Sequence, residues 1–326
     1  MPFNSVFKDE MENFLALRHK TMTRASCRQS LRVLSGFDRH HAQLTREKIV
    51  TEEMIVAWIE KFAANLCKRT RSGQVSTLRK FLGCLRHHGH DVFMPDCPKY
   101  PNDFVPYIFS DDEVEKIFNA AGNLEPTKGR LSTYVSRYTF PMLLRLLHGC
   151  GLRVNEALTM RVHDANFETG TLLMRNSKNK KQRIVPMQEG LTSILRKYCT
   201  AMRFSPEDFL FPTDKPGKHL SSESARYLFI KTLQSAGVYI PPPTPRTRYQ
   251  CLNCFRHLFA IKSFAQAERI GRDVHGSVPF LSVYLGHFDM DGTEKYLKFS
   301  GDMFHEHTEM FESYASSVFV EVAYEE

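Results

Sequence analysis

Four short stretches between residues 151 and 296 of this 326-residue chain place polar side chains within otherwise apolar sequence. They are GLRVNEAL (151–158), SKNKKQRIVPM (177–187), NCFRHLFA (253–260) and LGHFDMDGTEKY (285–296). Arg153 directly follows an apolar helical segment, and Arg256 lies between Phe255 and Phe259. A guanidinium in such surroundings needs an anionic partner, because burying an unpaired charge is costly. The partner is either a bound anion or a structural carboxylate, which for Arg256 could be Glu156.

Together the four stretches resemble the motifs of the tyrosine recombinase (phage integrase) family, in the family's order and at similar spacings. The family's first arginine lies in G-L-R-x-x-E-x-L, its lysine in K-x-x-K-x-R-x-V-P and its second arginine in H-x-L-R-H-x-F-A. Its nucleophilic tyrosine lies nine residues after the histidine of L-G-H. The chain matches these patterns with Arg153, Lys178, Arg256, His287 and Tyr296. The resemblance covers most of residues 105–300.

The resemblance implies phosphoryl transfer on DNA without a metal. Arg153 and Arg256 are expected to hold the nonbridging phosphate oxygens through paired N–H donors, and His287 to add a further donor. Lys178 is expected to protonate the departing 5′-oxygen, because the pKa of a lysine can fall near other cations. Tyr296 is expected to attack the phosphate and form a 3′-phosphotyrosine bond. No cofactor is expected.

One position departs from the family pattern. Asn253 stands where the family usually has a histidine, three residues before the second arginine. Asn253 stays a candidate catalytic residue, because its amide can donate to a phosphate oxygen. An amide cannot accept the proton of Tyr296, however, so a general-base role is in doubt at this position. His257, water or a neighbouring group could accept that proton instead.

Six other basic residues are predicted to contact DNA. Three are interleaved with the apolar stripe of a helix in the first 91 residues, and three lie in or near the turn of a lysine-rich hairpin. They are Arg79, Lys80, Arg86, Lys180, Lys181 and Arg183. Each cation that neutralises a phosphate gains affinity by releasing counterions, without reading sequence. A solvated basic surface is the alternative interpretation.

The elements that must position these residues fall into two groups. Apolar residues at helical spacing predict four helices before residue 92, and four prolines then predict an extended linker. Ser110-Asp-Asp-Glu113 is a capping-box sequence that opens a second, larger domain. The predicted organisation is a helical core-binding domain (1–91), a linker (92–108), a catalytic domain (109–300) and an acidic tail (301–326).

The secondary structure within the second group is mostly helical. An apolar helix is predicted over 138–150, ending at Gly151, with further helices over 188–202, 221–236, to about 270, and 278–286. Residues 171–187 alternate around a lysine-rich centre, which indicates a β-hairpin. The predicted fold class is therefore mainly α with a small β-sheet. The resemblance adds that an N-terminal bundle and an α+β catalytic domain form a C-shaped clamp on DNA.

Charge and composition narrow the class of protein. The net charge is +8, and residues 301–326 contain seven acidic residues and no Lys or Arg, so the body is strongly basic. No apolar run approaches the roughly 20 residues of a membrane helix, and the first residues do not resemble a secretory signal. Eight scattered cysteines favour free thiols in a reducing compartment, and Cys251-x-x-Cys254 has no second pair for zinc. The predicted location is the cytoplasm, with nucleoid association if the source is bacterial.

The sequence thus predicts a site-specific DNA recombinase that cleaves and rejoins strands, compact like Xer-type or transposon-borne members. The expected partners are double-stranded recombination sites, three further copies in a homo-tetramer, and an accessory directionality protein, with no membrane. The resemblance suggests that the acidic tail docks on a neighbouring protomer. The alternative, motivated by Asn253, is a catalytically weak DNA-binding protein that keeps the recombinase fold.

Overall fold

A computed structural model of the chain describes residues 3–63, 66–99, 105–125, 135–175, 182–242, 249–287 and 290–297. The chain divides into two compact units, Met1–Phe104 and Val105–Glu326. This division falls within the 92–108 segment predicted to be a linker. None of the helices among the described residues has the length and apolar character needed to span a membrane.

The first unit is a four-helix arrangement, as the hydrophobic periodicity predicted. Its helices are α1 (Lys8–Thr21), α2 (Arg24–Leu44), α3 (Glu52–Ala63) and α4 (Lys68–His87). Buried rings fill its centre, with Phe37 lying edge-on to both Trp58 and Phe81. The last turn of α2 contains His41, which is buried and hydrogen-bonds the carbonyl of Ile49.

The beginning of the predicted linker is part of this first core. Val92 is 3% exposed and pairs with Val50 in a short parallel bridge, and Phe93 and Met94 pack against the same cluster. The prolines keep this segment extended, but its apolar side chains still find a buried surface. Extended backbone and burial are therefore compatible at this position.

The second unit is mainly helical with one small sheet, which confirms the predicted fold class. Its helices are α5 (Asp111–Gly122), α6 (Phe140–Cys150), α7 (Val154–Leu158), α8 (Glu189–Ala201), α9 (Ser222–Ser235), α10 (Cys254–Arg269), α11 (Val274–Leu285) and α12 (Asp291–Glu294). A π-helical turn (Val135–Thr139) precedes α6, and a 3₁₀ turn (Val162–Asp164) precedes the sheet. Ser110 and Glu113 form the predicted capping box of α5.

Helix α6 forms the centre of the second unit. Eight of its eleven residues are buried, so the helix is apolar on nearly all sides. It packs against α5, α7, α8 and α10. A helix without a polar face is stable only when it is buried in a core. The elements packed around α6 therefore fix the positions of its two ends.

The sheet is a three-stranded antiparallel meander of β1 (Ala165–Asn166), β2 (Thr171–Met174) and β3 (Arg183–Pro186). The register pairs Leu172 with Val185 and Met174 with Arg183, so the predicted hairpin is present. Leu172 and Val185 are fully buried and fasten the sheet to the core. The turn of the hairpin, residues 176–181, lies outside the described residues.

Candidate active site

Arg153 is positioned by the abrupt end of α6. Gly151 ends the helix with φ 58°, a left-handed conformation that favours glycine. A Cβ atom at this position would lie 2.6 Å from the ring of Phe259 on α10, so glycine also permits the close approach of α10. The chain then turns and starts α7, with Arg153 at its N-cap. The Arg153 guanidinium donates to the carbonyls of Leu285 (3.3 Å) and Gly286 (2.8 Å).

Arg256 lies at the centre of the same site, and its side chain is almost wholly buried. Its guanidinium donates to the carbonyls of Gly151 (2.9 Å) and Leu285 (2.7 Å) and to Nε2 of His287 (2.9 Å). No carboxylate within the described ranges lies within 4.0 Å of it, so the suggested ion pair with Glu156 is absent. Burial, followed by the nearby charge of Arg153, lowers the pKa of Arg256 to about 10. The site therefore holds a buried cation that neutral groups position but do not neutralise.

Glu156 instead pairs with two other arginines. Its carboxylate accepts from Arg153 Nη1 at 2.8 Å and from Arg183 Nη2 at 2.7 Å. Burial raises the pKa of Glu156, but the hydrogen bonds and charges of Arg183 and Arg153 outweigh burial and hold it below its usual value. Glu156 is thus an ionised, buried residue that fixes Arg153.

Arg183 was predicted to contact DNA, and its position does not support that role. Its side chain is only 9% exposed, pairs with Glu156 through both Nη atoms, and donates from Nε to the carbonyl of Tyr284 at 2.8 Å. A Cβ at Gly286 would lie 2.8 Å from Arg183 Nη1, so that glycine gives the guanidinium room. Because β3 packs against α11, Arg183 forms its bonds inside the protein and stabilises the contact between these two elements.

His287 follows the end of α11, and its hydrogen bonds fix its tautomer. Arg256 can only donate, so Nε2 of His287 accepts and the ring proton lies on Nδ1. Nδ1 then donates to Oγ1 of Thr293 (2.6 Å), which also accepts from the hydroxyl of Ser282 (2.7 Å). Burial and then the charge of Arg256 lower the pKa of His287 to about 3, so the ring is neutral near pH 7.

Tyr296 packs between α10 and α11 and is 1% exposed. Its hydroxyl lies 2.8 Å from Nδ1 of His257, and its ring stacks at 6.4 Å from the ring of His287. Burial raises the pKa of the phenol, and the charges of Arg256 and Arg153 partly oppose that effect. The short helix α12 lies directly before Tyr296, and the tyrosine is held in the core.

The structure therefore places four of the candidate catalytic residues, Arg153, Arg256, His287 and Tyr296, around one site. Asn253 lies at the N-cap of α10, one turn before His257, and its side chain is exposed. Lys178, Lys180 and Lys181 lie outside the described residues.

The three candidate DNA contacts of the first unit lie along α4. Lys80 and Arg86 are exposed. Arg79 is 35% exposed, donates to the carbonyl of Pro95 and lies 3.6 Å from Asp96. Part of the charge of Arg79 is thus already paired within the unit.

The Cys251-x-x-Cys254 motif forms neither a disulfide nor a metal site in the part of the chain that the structure describes. The two Sγ atoms are 3.7 Å apart, and the hydrogen bond with Cys251, followed by burial, raises the pKa of Cys254. Protonated thiols are poor metal ligands.

Sequence reasoning did not identify the positioning roles of Thr293 and Ser282. They lie six residues after and five residues before His287, with no periodicity that separates them from ordinary helix residues. Glu156 was visible as a motif residue, but its partners were not. The spacing i, i+3 to Arg153 was the available signal for that ion pair.

Comparison with known proteins identifies the family. A family model described as "Phage integrase family" matches residues 108–300. The putative integrase/recombinase y4rB of Sinorhizobium fredii is 26% identical over 266 residues, which cover 79% of this chain and 82% of that protein. The tyrosine recombinase XerC of Oceanobacillus iheyensis is 25% identical over 293 residues, which cover 84% and 85%.

Solved structures with the same fold include recombinases bound to DNA. The XerH site-specific recombinase in a post-cleavage complex with palindromic difH substrate has a TM-score of 0.62 and 17% identity, covering 88% of this chain and 80% of that one. A lambda integrase tetramer bound to a Holliday junction has a TM-score of 0.61 and 17% identity, covering 86% and 77%. At these identities the likeness concerns the fold.

Proposed function

This chain belongs to the phage integrase family of site-specific recombinases, which cleave and rejoin DNA through a tyrosine-linked intermediate, and we propose that Tyr296 is its nucleophile. The described residues that support this proposal come from three separate motifs and lie around one buried site. Arg256 contacts His287, His287 stacks on Tyr296, and Arg153 and Arg256 share the carbonyl of Leu285.

The observation that carries the proposal is the unneutralised charge of Arg256. A buried guanidinium with a lowered pKa and only neutral partners gains most from an anion that enters the site. A phosphodiester in a trigonal-bipyramidal transition state supplies that anion and adds charge on its nonbridging oxygens. Preorganised donors stabilise this added charge without a reorganisation cost.

The proposed reaction uses each residue in a separate role. Arg153 and Arg256 hold the nonbridging oxygens, and Asn253 orients the same phosphate from the start of α10. His287 becomes a further donor when the phosphate charge raises its pKa and Nε2 gains a proton. Lys178, carried by the β2–β3 hairpin, protonates the departing 5′-oxygen. Tyr296 attacks, and its 3′-phosphotyrosine bond conserves the energy of the broken linkage for resealing.

The proposed partner is a double-stranded recombination site, bound by four copies of the chain. The solved XerH and lambda integrase structures are complexes with DNA. Support from this chain comes from α11, where Phe280 is 78% exposed and Val283 74% exposed, an apolar face suited to a second copy. The acidic tail, 301–326, is the proposed segment that docks on a neighbouring protomer. We propose a cytoplasmic location and an accessory protein that sets direction.

The test is a DNA substrate nicked near the cleavage site, so that the released fragment diffuses away and the covalent complex accumulates. The wild-type chain should form a protein–DNA band that survives denaturation, and Tyr296→Phe should not. Tyr284→Phe is the matched control, because Tyr284 is also largely buried but faces the ring of Phe259. Duplex binding should be equal in all three proteins. Tight binding without a band in the wild type would favour the DNA-binding alternative.

A further inference from the structure

We infer that His257 accepts the phenolic proton of Tyr296 during cleavage. This inference rests on the proposed function and assigns the step that Asn253 cannot perform. Nδ1 of His257 lies 2.8 Å from the Tyr296 hydroxyl, within the distance for direct proton transfer, and the two ring centroids are 5.5 Å apart. His257 therefore touches the reacting atom itself.

The fold, rather than local sequence, makes this contact. His257 is in the first turn of α10, next to Arg256 and one turn after Asn253. Tyr296 follows α12, 39 residues further along the chain. Tyr296 is part of the apolar cluster formed by α10 and α11, and the ring of His257 lies against the ring of Tyr296. His257 and Tyr296 are therefore far apart in sequence, and core packing holds them in contact.

The other described groups near the phenol are unsuited to accept a proton. Arg256 stays protonated, and Lys295, whose ammonium lies 5.0 Å from the Tyr296 ring centroid, is also a cation. His287 uses Nε2 to accept from Arg256 and Nδ1 to donate to Thr293. His257 is the group whose ring nitrogen faces the hydroxyl.

The charge state of His257 suits an acceptor. Burial, and then the charges of Lys295 and Arg256, lower its pKa to about 4, so the imidazole is neutral near pH 7. With its own proton on Nε2, Nδ1 offers a lone pair to the Tyr296 hydroxyl. A phosphodiester bound between the arginines brings negative charge, which raises the pKa of His257 and strengthens the base only when substrate is present.

The step balances in atoms and charge. The O–H bond of Tyr296 breaks, its oxygen forms a bond to phosphorus, and the phosphorus–5′-oxygen bond breaks. His257 keeps the phenolic proton as an imidazolium, while Lys178 gives a proton to the 5′-oxygen. Rejoining reverses both transfers, so His257 returns the proton to the departing phenol.

The experiment measures the single-turnover rate of covalent complex formation with the nicked substrate. His257→Gln keeps a side chain of similar size that is not basic, and His257→Ala leaves space for a small base. His148→Gln is the matched control, because His148 is also largely buried and packs on Phe255 of the same helix but not on Tyr296. We expect both His257 variants to lose about 10²- to 10⁴-fold in rate. The control should stay within about twofold.

Two readouts separate proton acceptance from a structural role. Added imidazole should restore part of the rate of His257→Ala and leave the rates of His257→Gln and His148→Gln unchanged. A substrate with sulfur replacing the bridging 5′-oxygen has a leaving group that needs no proton. With that substrate, the rate of covalent complex formation should be restored in Lys178→Ala and should stay low in both His257 variants.

The inference is overturned if His257→Ala reacts at the wild-type rate, or if it is slow without any response to imidazole. Equal losses of rate in His257→Gln and His148→Gln would likewise show that the contact between His257 and Tyr296 serves only packing. In each of these cases the wild-type covalent band, absent from Tyr296→Phe, still supports the proposed function. Absence of the covalent band from the wild type itself would contradict both the inference and the proposed function.

Discussion

At the residue scale, the site depends on how each polar group is neutralised. Glu156 is ionised because two arginines surround it, whereas Arg256 has carbonyls and a neutral imidazole as partners. The low dielectric that makes this cation costly also makes it attract an incoming anion strongly. The same low dielectric disfavours the protonated forms of His287 and His257, so both imidazoles stay neutral. Burial therefore sets the charge pattern of the free site.

Arg256→Lys should remove cleavage while leaving DNA binding nearly intact. A single ammonium cannot reproduce three bonds from a planar fork, so we expect the rate of covalent complex formation to fall by about 100-fold or more. Duplex affinity should change by less than about threefold, because one positive charge is kept. Arg196→Lys, at an exposed arginine of α8, is the control. Cleavage by Arg256→Lys at the wild-type rate would show that the fork geometry is unimportant.

The two neutral histidines should make the protein less stable in mild acid. Their folded pKa values are about 4 and about 3, below the ordinary 6.5, so the unfolded chain binds protons first as the pH falls. Their contribution is complete above about pH 7 and is lost progressively as the pH falls through 6.5 toward the folded values of about 4 and 3, by on the order of 1–2 kcal/mol for each histidine at pH 5.0 when partial solvent screening is allowed for. Urea unfolding at pH 7.5 and 5.0 measures this loss. The double variant His257→Gln, His287→Gln should show a shallower dependence, and an unchanged dependence would contradict the assignment.

At the element scale, the site lies where helices end rather than within them. Helix α6 ends at Gly151 before Arg153, and α11 ends at Gly286 before His287, each glycine having positive φ. The two helix ends meet through the carbonyls that the arginines bind. Arg183 of β3 joins this junction by binding both Glu156 and the carbonyl of Tyr284. The hairpin that carries Lys178 is thereby tied to the arginine site.

Arg183→Met should distinguish bracing from DNA contact. Loss of a phosphate contact would reduce the slope of log Kobs against log salt by about one, whereas loss of bracing leaves that slope unchanged. We expect an unchanged slope, a slower cleavage step and a loss of about 3 kcal/mol in the free energy of unfolding. Filter binding at several salt concentrations, single-turnover cleavage of the nicked substrate and urea unfolding measure these three quantities. A reduced slope with normal stability would restore the original DNA-contact interpretation.

At the scale of the whole molecule, charge and burial are distributed separately. Each compact unit has its own apolar core, and the first contains the single tryptophan, Trp58. The excess of basic residues belongs to residues 1–300, and the final 26 residues are acidic. Lys80 and Arg86 show how α4 combines a buried face with an exposed basic one. Such a face attracts a polyanion without reading its sequence.

Replacing Lys80 and Arg86 with alanine should weaken binding to all duplexes equally. Two lost phosphate contacts reduce the salt slope by nearly two, and the ratio of specific to nonspecific affinity should stay constant. Trp58 fluorescence during urea unfolding checks that the first unit remains folded, since this residue is buried in its core. A variant with wild-type salt dependence would exclude α4 from the DNA interface.

Deleting residues 301–326 should affect assembly before chemistry. If the acidic tail docks on a neighbouring copy, the shortened chain will bind a single site normally but lose cooperative binding to paired sites. Covalent complex formation at a single nicked site should remain within a few-fold of the wild type. Gel-shift titration on one-site and two-site duplexes measures both quantities. Undiminished cooperativity would assign contacts between copies to another surface.

The sequence by itself determined the helical periodicity, the capping box at Ser110, the hairpin and the family motifs. These features depend on neighbours within a few residues, where side-chain type and spacing decide the outcome. The left-handed end of α6 at Gly151 was predictable for the same reason.

Only the tertiary structure decided which charges are paired, because pairing depends on residues that are remote in sequence. Arg183 binds Glu156 across 27 positions and Arg256 binds Leu285 across 29, and no local pattern encodes either contact. The same holds for His257 and Tyr296, which core packing presses together. The residue types fixed the chemistry that was possible, and burial in a common core selected which atoms could perform it.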